Sequence, residues 1–398
     1  MTARFVNVED ARRIARRRLP KIFFDYIDGG SSAEATLASS TGDFANLRLE
    51  QRVLAGLRPR DLSSEFLGQR NRLPFMLGPV GFLGLFAGHG EILAAKAAHA
   101  AGIPACLSNF SIASLDDLRR AGCDGPLQFQ LYVLKDRGLA EEFVAAAERA
   151  GVETLHLTVD TAVTGIRERD ARNGFRAATR ITPRMGFGMA LRPAWAFDML
   201  RTGKPGVGAV RGRAEFGANI LAQAATLSRL IDPALSWDDV DWLRGRWRGR
   251  LSIKGILHPG DARRAKAAGA DAIVVSNHGG RQLDGARSTI SALPSIVDAA
   301  DGLEVLLDGG VRRGTDIVKA IALGASGVLL GRAYVWGVAA GGEAGAARVI
   351  QLLSDEIDVT LGLMGLSSID ELKALGRDAL VPPSEVAASA RMVQPVGL

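Results

Sequence analysis

Cysteine is nearly absent: Cys106 and Cys123 are the two in a chain of 398 residues. Two thiols cannot build a disulfide framework or a zinc site of recognisable pattern, which fits a reducing cytosol. No run of about 18 apolar residues exists, so nothing in the sequence reads as membrane-spanning. The start, Met1-Thr2-Ala3-Arg4-Phe5, leads straight into a charged helix rather than the apolar core of a signal peptide. A cytoplasmic location is therefore expected. Aromatic residues make up only 6% of the chain, and no nucleic-acid-binding motif is visible. The formal charge of +6 and the pI near 9.6 come from scattered cations. They suit an anionic small substrate and cofactor, or an acidic membrane surface, better than a nucleic acid. No set of metal ligands is expected.

What is present is an apolar rhythm. Hydrophobic residues are 47% of the chain and charged ones 23%, enough for a large core. Residues 7–20 read as a helix opened by Asn7, and Lys21–Ile27 as a second. From residue 72, short apolar strands recur at Phe75–Pro79, Pro104–Ser108, Leu127–Tyr132, Thr154–Val159, Leu251–Lys254, Ala272–Val275, Glu304–Asp308 and Gly327–Leu330. Between most of them lies an Ala/Leu/Arg-rich helical stretch that ends in a step such as Ala101-Gly102 or Ala150-Gly151. Strand–helix alternation of this kind predicts an α/β fold, a closed (β/α)8 TIM barrel over about residues 72–340. A doubly wound open sheet is the alternative, disfavoured because no dinucleotide glycine fingerprint follows the first strand. One interval breaks the rhythm: about 90 residues separate the fourth and fifth strands. Helical patterns occupy 214–230 and 237–247, and 177–210 reads as a mobile insertion. Closing helices and a tail follow residue 341. All of 1–398 is expected to be a single domain.

Barrel enzymes place their chemistry at the C-terminal ends of the strands. The sixth strand, Ala272-Ile273-Val274-Val275, runs into Ser276-Asn277-His278-Gly279-Gly280-Arg281-Gln282-Leu283-Asp284. A base, His278, and a fixed cation, Arg281, thus sit three residues apart at a turn. Oxidation of a hydroxy acid needs those two groups, one to take a proton and one to hold a carboxylate. The other strand ends are polar as well: Ser108 and Asn109, Gln130 and Tyr132, Thr158 and Asp160, Lys254. The first gives Gly78-Pro79-Val80-Gly81, bare backbone that a flat ligand can approach. The seventh and eighth carry Asp308-Gly309-Gly310 with Arg312, and Gly331-Arg332, a pattern that points to a phosphate. Each residue also has a plain structural reading: Tyr26 as a core aromatic, Lys254 as a solvated strand end, Gly309-Gly310 as a turn.

The stretch Ser276–Asp284 closely resembles the active-site signature of the FMN-dependent 2-hydroxy-acid oxidising family, which includes L-lactate dehydrogenases, glycolate oxidases and mandelate dehydrogenase. The resemblance extends from Val8 to about Leu361, with at least seven segments in order. It implies FMN as cofactor, held by Pro79, Val80, Gly81, Ser108, Gln130, Thr158, Lys254 and Ser276. Asp308, Gly309, Gly310, Arg312, Gly331 and Arg332 would hold its ribityl chain and phosphate. It further implies His278 as the base, taking the α-proton or the hydroxyl proton, with Asp160 stabilising its cation. Arg281 and Arg167 would clamp the carboxylate, and Tyr26 and Tyr132 would bond the carboxylate and hydroxyl. Arg167 is chosen over Arg169 by its spacing from Asp160. Val80-Gly81 departs from the Thr-Ala common in the oxidases and is expected to leave more room near the flavin. Asn109-Phe110 is a second departure, expected to shape the substrate pocket.

The expected activity is oxidation of a mandelate- or lactate-like L-2-hydroxy acid, with electrons passing to a quinone; the alternative is a soluble oxidase that reduces oxygen. Arg180–Arg192 mixes cations and apolar residues and is expected to touch the cytoplasmic face of the inner membrane. A homo-tetramer is what the resemblance implies.

Overall fold

The computed structural model describes residues 4–56, 58–175, 181–203 and 205–382. A hairpin, β1 (Ser64–Phe66) and β2 (Gln69–Asn71), precedes eight parallel strands. These are β3 (Phe75–Leu77), β4 (Ala105–Ser108), β5 (Leu127–Leu131), β6 (Thr154–Thr158), β7 (Arg250–Ile256), β8 (Ala272–Val275), β9 (Glu304–Asp308) and β10 (Gly327–Leu330). They close in the order β10-β3-β4-β5-β6-β7-β8-β9, so first and last are neighbours and the sheet has no edge. The fold is the (β/α)8 barrel that the strand rhythm predicts. Its helices stop where glycine takes up the left-handed backbone that other residues resist, as at Gly102 (φ +71°) and Gly151 (φ +66°).

The barrel interior has two faces. One is apolar and includes Met76, Ala272, Val274, Leu306 and Leu329, with Phe66 and Leu67 of the hairpin turn packed into the same cluster. The other is polar and follows the strand register: Ser108 beside Gln130, Gln130 beside His156, His156 beside Ser252, and Thr158 beside Lys254. The polar column ends at the strand exits, where the site lies.

Two N-terminal helices brace that end. Asn7 caps α1 (Val8–Arg18) by accepting from the Asp10 amide at 2.8 Å, and Pro20 stands just before α2 (Lys21–Asp28). Helix α3 (Ala35–Gly42) lies against the loop after β8: Thr36 N donates to the Asp284 carboxylate at 2.8 Å. The closing helix, Arg332–Leu363, starts directly after β10, breaks its helical backbone at Gly341 and Gly342, and packs along α1.

The long interval between β6 and β7 holds helices Glu168–Asn173, Pro183–Ala190, Pro193–Thr202, Ile220–Leu230 and Trp237–Arg244. Within the stretch 177–210, residues 177–180 and 204 lie outside the described residues, as does Arg180 of the segment expected at a membrane. The rest contacts α2 and the segment after β3: Trp195 is buried against Phe23, and its indole N–H donates to Leu85 O at 2.8 Å. The Gly88 amide donates to Asp198 at 3.0 Å. Among the described residues no helix is long and apolar enough to cross a membrane.

Candidate active site

The turn after β8 bends through three successive left-handed residues, His278 (φ +56°), Gly279 (φ +65°) and Gly280 (φ +73°). Such backbone costs about 1–3 kcal/mol at a non-glycine residue and persists only where its surroundings enforce it. Here the turn carries the imidazole to the cavity. His278 Nδ1 lies 2.9 Å from Asp160 Oδ1, and Nε2 lies 3.3 Å from the Tyr132 hydroxyl. The carboxylate fixes the proton on Nδ1, which leaves the Nε2 lone pair to accept. Burial holds the imidazole pKa below its ordinary value; Asp160 opposes this, while Lys254 and Arg167 add to it. Burial works against the Asp160 charge too, but His278 and Lys254 outweigh it and keep the carboxyl below the usual range. Gln282 ties the dyad's loops together, donating to Asp160 O at 2.8 Å and Val163 O at 2.9 Å.

Beside the imidazole stand two guanidinium groups. Arg281 donates to the carbonyls of Tyr26 (2.5 Å) and Gly29 (2.9 Å) and lies 4.8 Å from the Tyr26 ring centre. Arg167 lies 6.0 Å from the same ring, its side chain only 8% exposed. Arg169 points elsewhere, into ion pairs with Asp28 and Glu34. The spacing from Asp160 therefore selects the arginine that lines the cavity.

The floor is polar and incompletely partnered. Lys254 Nζ sits 2.5 Å from Asp308 Oδ2 and donates to Ser276 Oγ at 2.9 Å. Burial opposes its charge, yet Asp308 and Asp160 hold its pKa above the ordinary value. Ser108 donates to Gln130 Oε1 at 2.6 Å. That leaves Gln130 Nε2, Thr158 Oγ1 and Asp308 Oδ1 buried without a partner among the described residues. Unmet buried polar atoms of this kind are rare, and here all three belong to side chains that line one cavity. A planar ring system with hydrogen-bonding edges and a hydroxylated chain is what they fit.

At the far end, Gly310 (φ +81°) lies so close to α3 that a Cβ there would fall 1.7 Å from Ser40 O, so only glycine is tolerated. Arg312 stacks over Trp336, 4.7 Å from the ring centre. It is half-buried, donates to Val311 O at 2.7 Å and has no ion-pair partner among the described residues, and burial pulls its pKa down to about 10. A cation held at that electrostatic cost suits an anion such as a phosphate. Arg332 is deployed differently. It donates to Ile27 O, Gly279 O and Gly29 O, each at 2.8 Å, and so buckles the end of α2 to the β8 loop. Burial and the neighbouring Arg281 and Arg312 push its pKa well down.

Every residue expected at the site lines this cavity except Asp160 and Ser276, which stand directly behind it. On its other side Gly81 approaches Phe110 closely: a Cβ there would meet Phe110 Cβ at 3.1 Å. Phe110 packs on Tyr132 at 4.8 Å and lines the cavity, while Asn109 braces the Tyr132 backbone from behind. Thr161, Thr164 and Ile231 also line it without having been singled out in the sequence. Ile231 lies over 70 residues beyond β6 and carried no signal; Gln282 lay within the motif and could have been assigned.

A family model for FMN-dependent dehydrogenases matches residues 15–378. An L-lactate dehydrogenase of Caulobacter vibrioides is 46% identical over 365 residues, covering 91% of this chain and 95% of that protein. The crystal structure of the monotopic membrane protein (S)-mandelate dehydrogenase superposes with a TM-score of 0.90 at 41% identity, over 95% of this chain and 99% of that one. A mandelate oxidase structure gives 0.79 at 37% identity, over 95% and 98%. The chain is therefore a member of the FMN-dependent dehydrogenase family, the flavoenzymes that oxidise 2-hydroxy acids.

Proposed function

We propose that this chain oxidises an L-2-hydroxy acid of the lactate or mandelate type to the 2-oxo acid and passes the electrons to a quinone at a membrane surface. The observation that carries the reading is the His278 Nε2 lone pair facing the cavity between a hydroxyl, Tyr132, and the cations Arg281 and Arg167. When bound, FMN supplies a two-electron acceptor for the bond being broken at C2. The chain's residues supply the rest. Arg281 and Arg167, with Tyr26, hold the substrate carboxylate in a fixed fork. Tyr132 bonds the substrate hydroxyl. His278 takes the substrate proton at Nε2, and Asp160 stabilises the imidazolium that results. Lys254 would supply positive charge to stabilise the negative charge that a bound flavin gains on reduction. Gln130, Thr158, Ser108 and Ser276 would help hold the ring, together with Pro79, Val80 and Gly81. Asp308 and Gly309-Gly310 take the ribityl chain, and Arg312, Gly331 and Arg332 the phosphate.

Quinone as acceptor is favoured by the face of the insertion. Ile181, Phe187, Leu191, Phe197 and Leu200 are between 58% and 82% exposed on helices Pro183–Ala190 and Pro193–Thr202 and the residues flanking the first, more apolar surface than water alone would favour on one short stretch. We propose peripheral attachment there, on the cytoplasmic face of the inner membrane, and a homo-oligomer, with the family's tetramer as its size. A soluble oxidase is the second reading, favoured by the likeness to mandelate oxidase. The test is anaerobic stopped-flow absorbance near 450 nm with L-lactate and L-mandelate in parallel, followed by air or by a water-soluble quinone. Bleaching by either acid, slow return of colour in air and fast return with quinone are expected. Fast return in air selects the oxidase, and a yellow protein that neither acid bleaches refutes the substrate class.

A further inference from the structure

A second cleft opens away from the active site, where α1, α2 and helix Glu168–Asn173 meet helix Pro183–Ala190 and Arg192. Its walls are cationic. Arg12 and Arg169 are neutralised across the buried Asp28, Lys21 pairs with Asp25, and Arg172 with Glu168. Three more arginines face the cleft with no carboxylate within ion-pair distance among the described residues: Arg16 on α1, Arg184 on the insertion, and Arg192, whose Nε donates to Leu19 O at 3.1 Å. Like charges gathered from two separate chain segments, α1 and the insertion, repel, and among the described residues no carboxylate offsets these three. The helix that contributes Arg184 also carries the exposed Phe187, and the exposed Leu191 immediately precedes Arg192. A cationic cleft and an apolar strip are thus presented by the same short segment.

We propose that this cleft binds a phosphate-bearing anion, the headgroup of an acidic phospholipid, while the apolar side chains beside it enter the lipid. The inference rests on the peripheral-membrane reading above and adds to it a specific headgroup site. Arginine suits the task because its planar fork bonds two phosphate oxygens at once. The site would make the enzyme select acidic over neutral membranes, and would fix one orientation of the barrel on the surface.

The experiment is vesicle co-sedimentation of the FMN-loaded protein, with phosphatidylcholine alone and with phosphatidylcholine containing phosphatidylglycerol. The variant R16Q/R184Q/R192Q is compared with R149Q/R229Q/R263Q, which removes the same charge from exposed sites on other elements. Each cation at an anionic surface contributes about five-fold in partitioning, so the cleft variant should lose on the order of 100-fold on acidic vesicles. Its binding to neutral vesicles and its anaerobic flavin bleaching should be unchanged. The control variant should lose far less.

Equal losses in the two variants would overturn the site in favour of diffuse surface charge. So would acidic-vesicle binding by the cleft variant at the wild-type level. Saturable binding of inorganic phosphate that leaves vesicle binding untouched would assign the cleft to a free anion and overturn the headgroup. A change in oligomeric mass in the cleft variant would assign it to contact between copies. The membrane reading fails separately: F187S/L200S should abolish binding to neutral vesicles, and if wild type binds no vesicle at all, that reading falls before the cleft is tested.

Discussion

His278 has to be neutral before it can take a proton, and its surroundings arrange this. Burial and the cations Lys254 and Arg167 depress its pKa, and Asp160 limits the fall. The free enzyme should therefore keep the imidazole unprotonated through neutral pH. We predict that kcat/KM for the hydroxy acid is flat above the ordinary imidazole range and declines only as pH falls through the depressed pKa. Asp160→Asn removes the group that raises this pKa, so the acid limb should move to lower pH while the bleaching rate drops by about 100-fold or more, as expected when general-base catalysis is crippled. A pH series of anaerobic bleaching rates checks both; an unmoved acid limb would take Asp160 out of the titration. At this scale the sequence was informative. The spacing of His278 and Arg281 suggested a base and a cation, and the spacing from Asp160 separated Arg167 from Arg169. The close approach of Gly81 to the Cβ and backbone of Phe110 was not legible, because Phe110 comes from the next strand's loop.

Strands β5, β6 and β7 place a polar column inside the barrel, a location usually given to branched aliphatics. His156 is its buried centre: Nε2 lies 2.6 Å from Gln128 Oε1, while Nδ1, Gln128 Nε2, Thr154 Oγ1 and Ser252 Oγ have no partner among the described residues. Burial, and then the Lys254 charge, push the His156 pKa down to about 3. The sign of the linkage follows. The unfolded chain binds a proton near pH 6.5 that the folded chain refuses, so stability is full above that pH and is lost as pH falls toward 3. Between pH 6.5 and 4.5 this one residue should cost about 2–3 kcal/mol, at 1.36 kcal/mol per pH unit. His156→Gln keeps a hydrogen-bonding side chain but cannot titrate, so its urea midpoint should fall less over that pH range than the wild type's. Equal acid sensitivity would show that His156 is not the group concerned. The strand periods predicted all eight elements. They could not show that His156 and Ser252, nearly 100 residues apart, would share a register and face inward.

For the molecule as a whole, the cavity is assembled from every strand exit and from α2, and it is lined by several buried polar atoms and by the half-buried Arg312, which has no ion-pair partner among the described residues. A ligand that satisfies them binds the folded chain alone. Removing FMN should therefore lower the melting temperature by several degrees, and adding it back at 100 times its Kd should restore about 2.7 kcal/mol. A melting temperature indifferent to FMN would argue against the cofactor's position in this cavity. Stripped protein should show its largest loss of amide protection in α2 and the β8 loop, which Arg332 joins.

By itself the sequence determined the barrel, the order of its strands and the identity of most residues at their ends, because these follow from local periodicity and from motifs a few residues long. Only the tertiary structure decided which partners those residues find. Closure of the sheet set Asp160 against His278 across 118 positions. Docking of α2 gave Arg281 and Arg332 carbonyls to hold. Burial of Trp195 turned the insertion from an expected mobile stretch into docked helices whose cations meet α1 and α2. Pairings of that kind depend on distance and desolvation in three dimensions, which spacing along the chain does not encode.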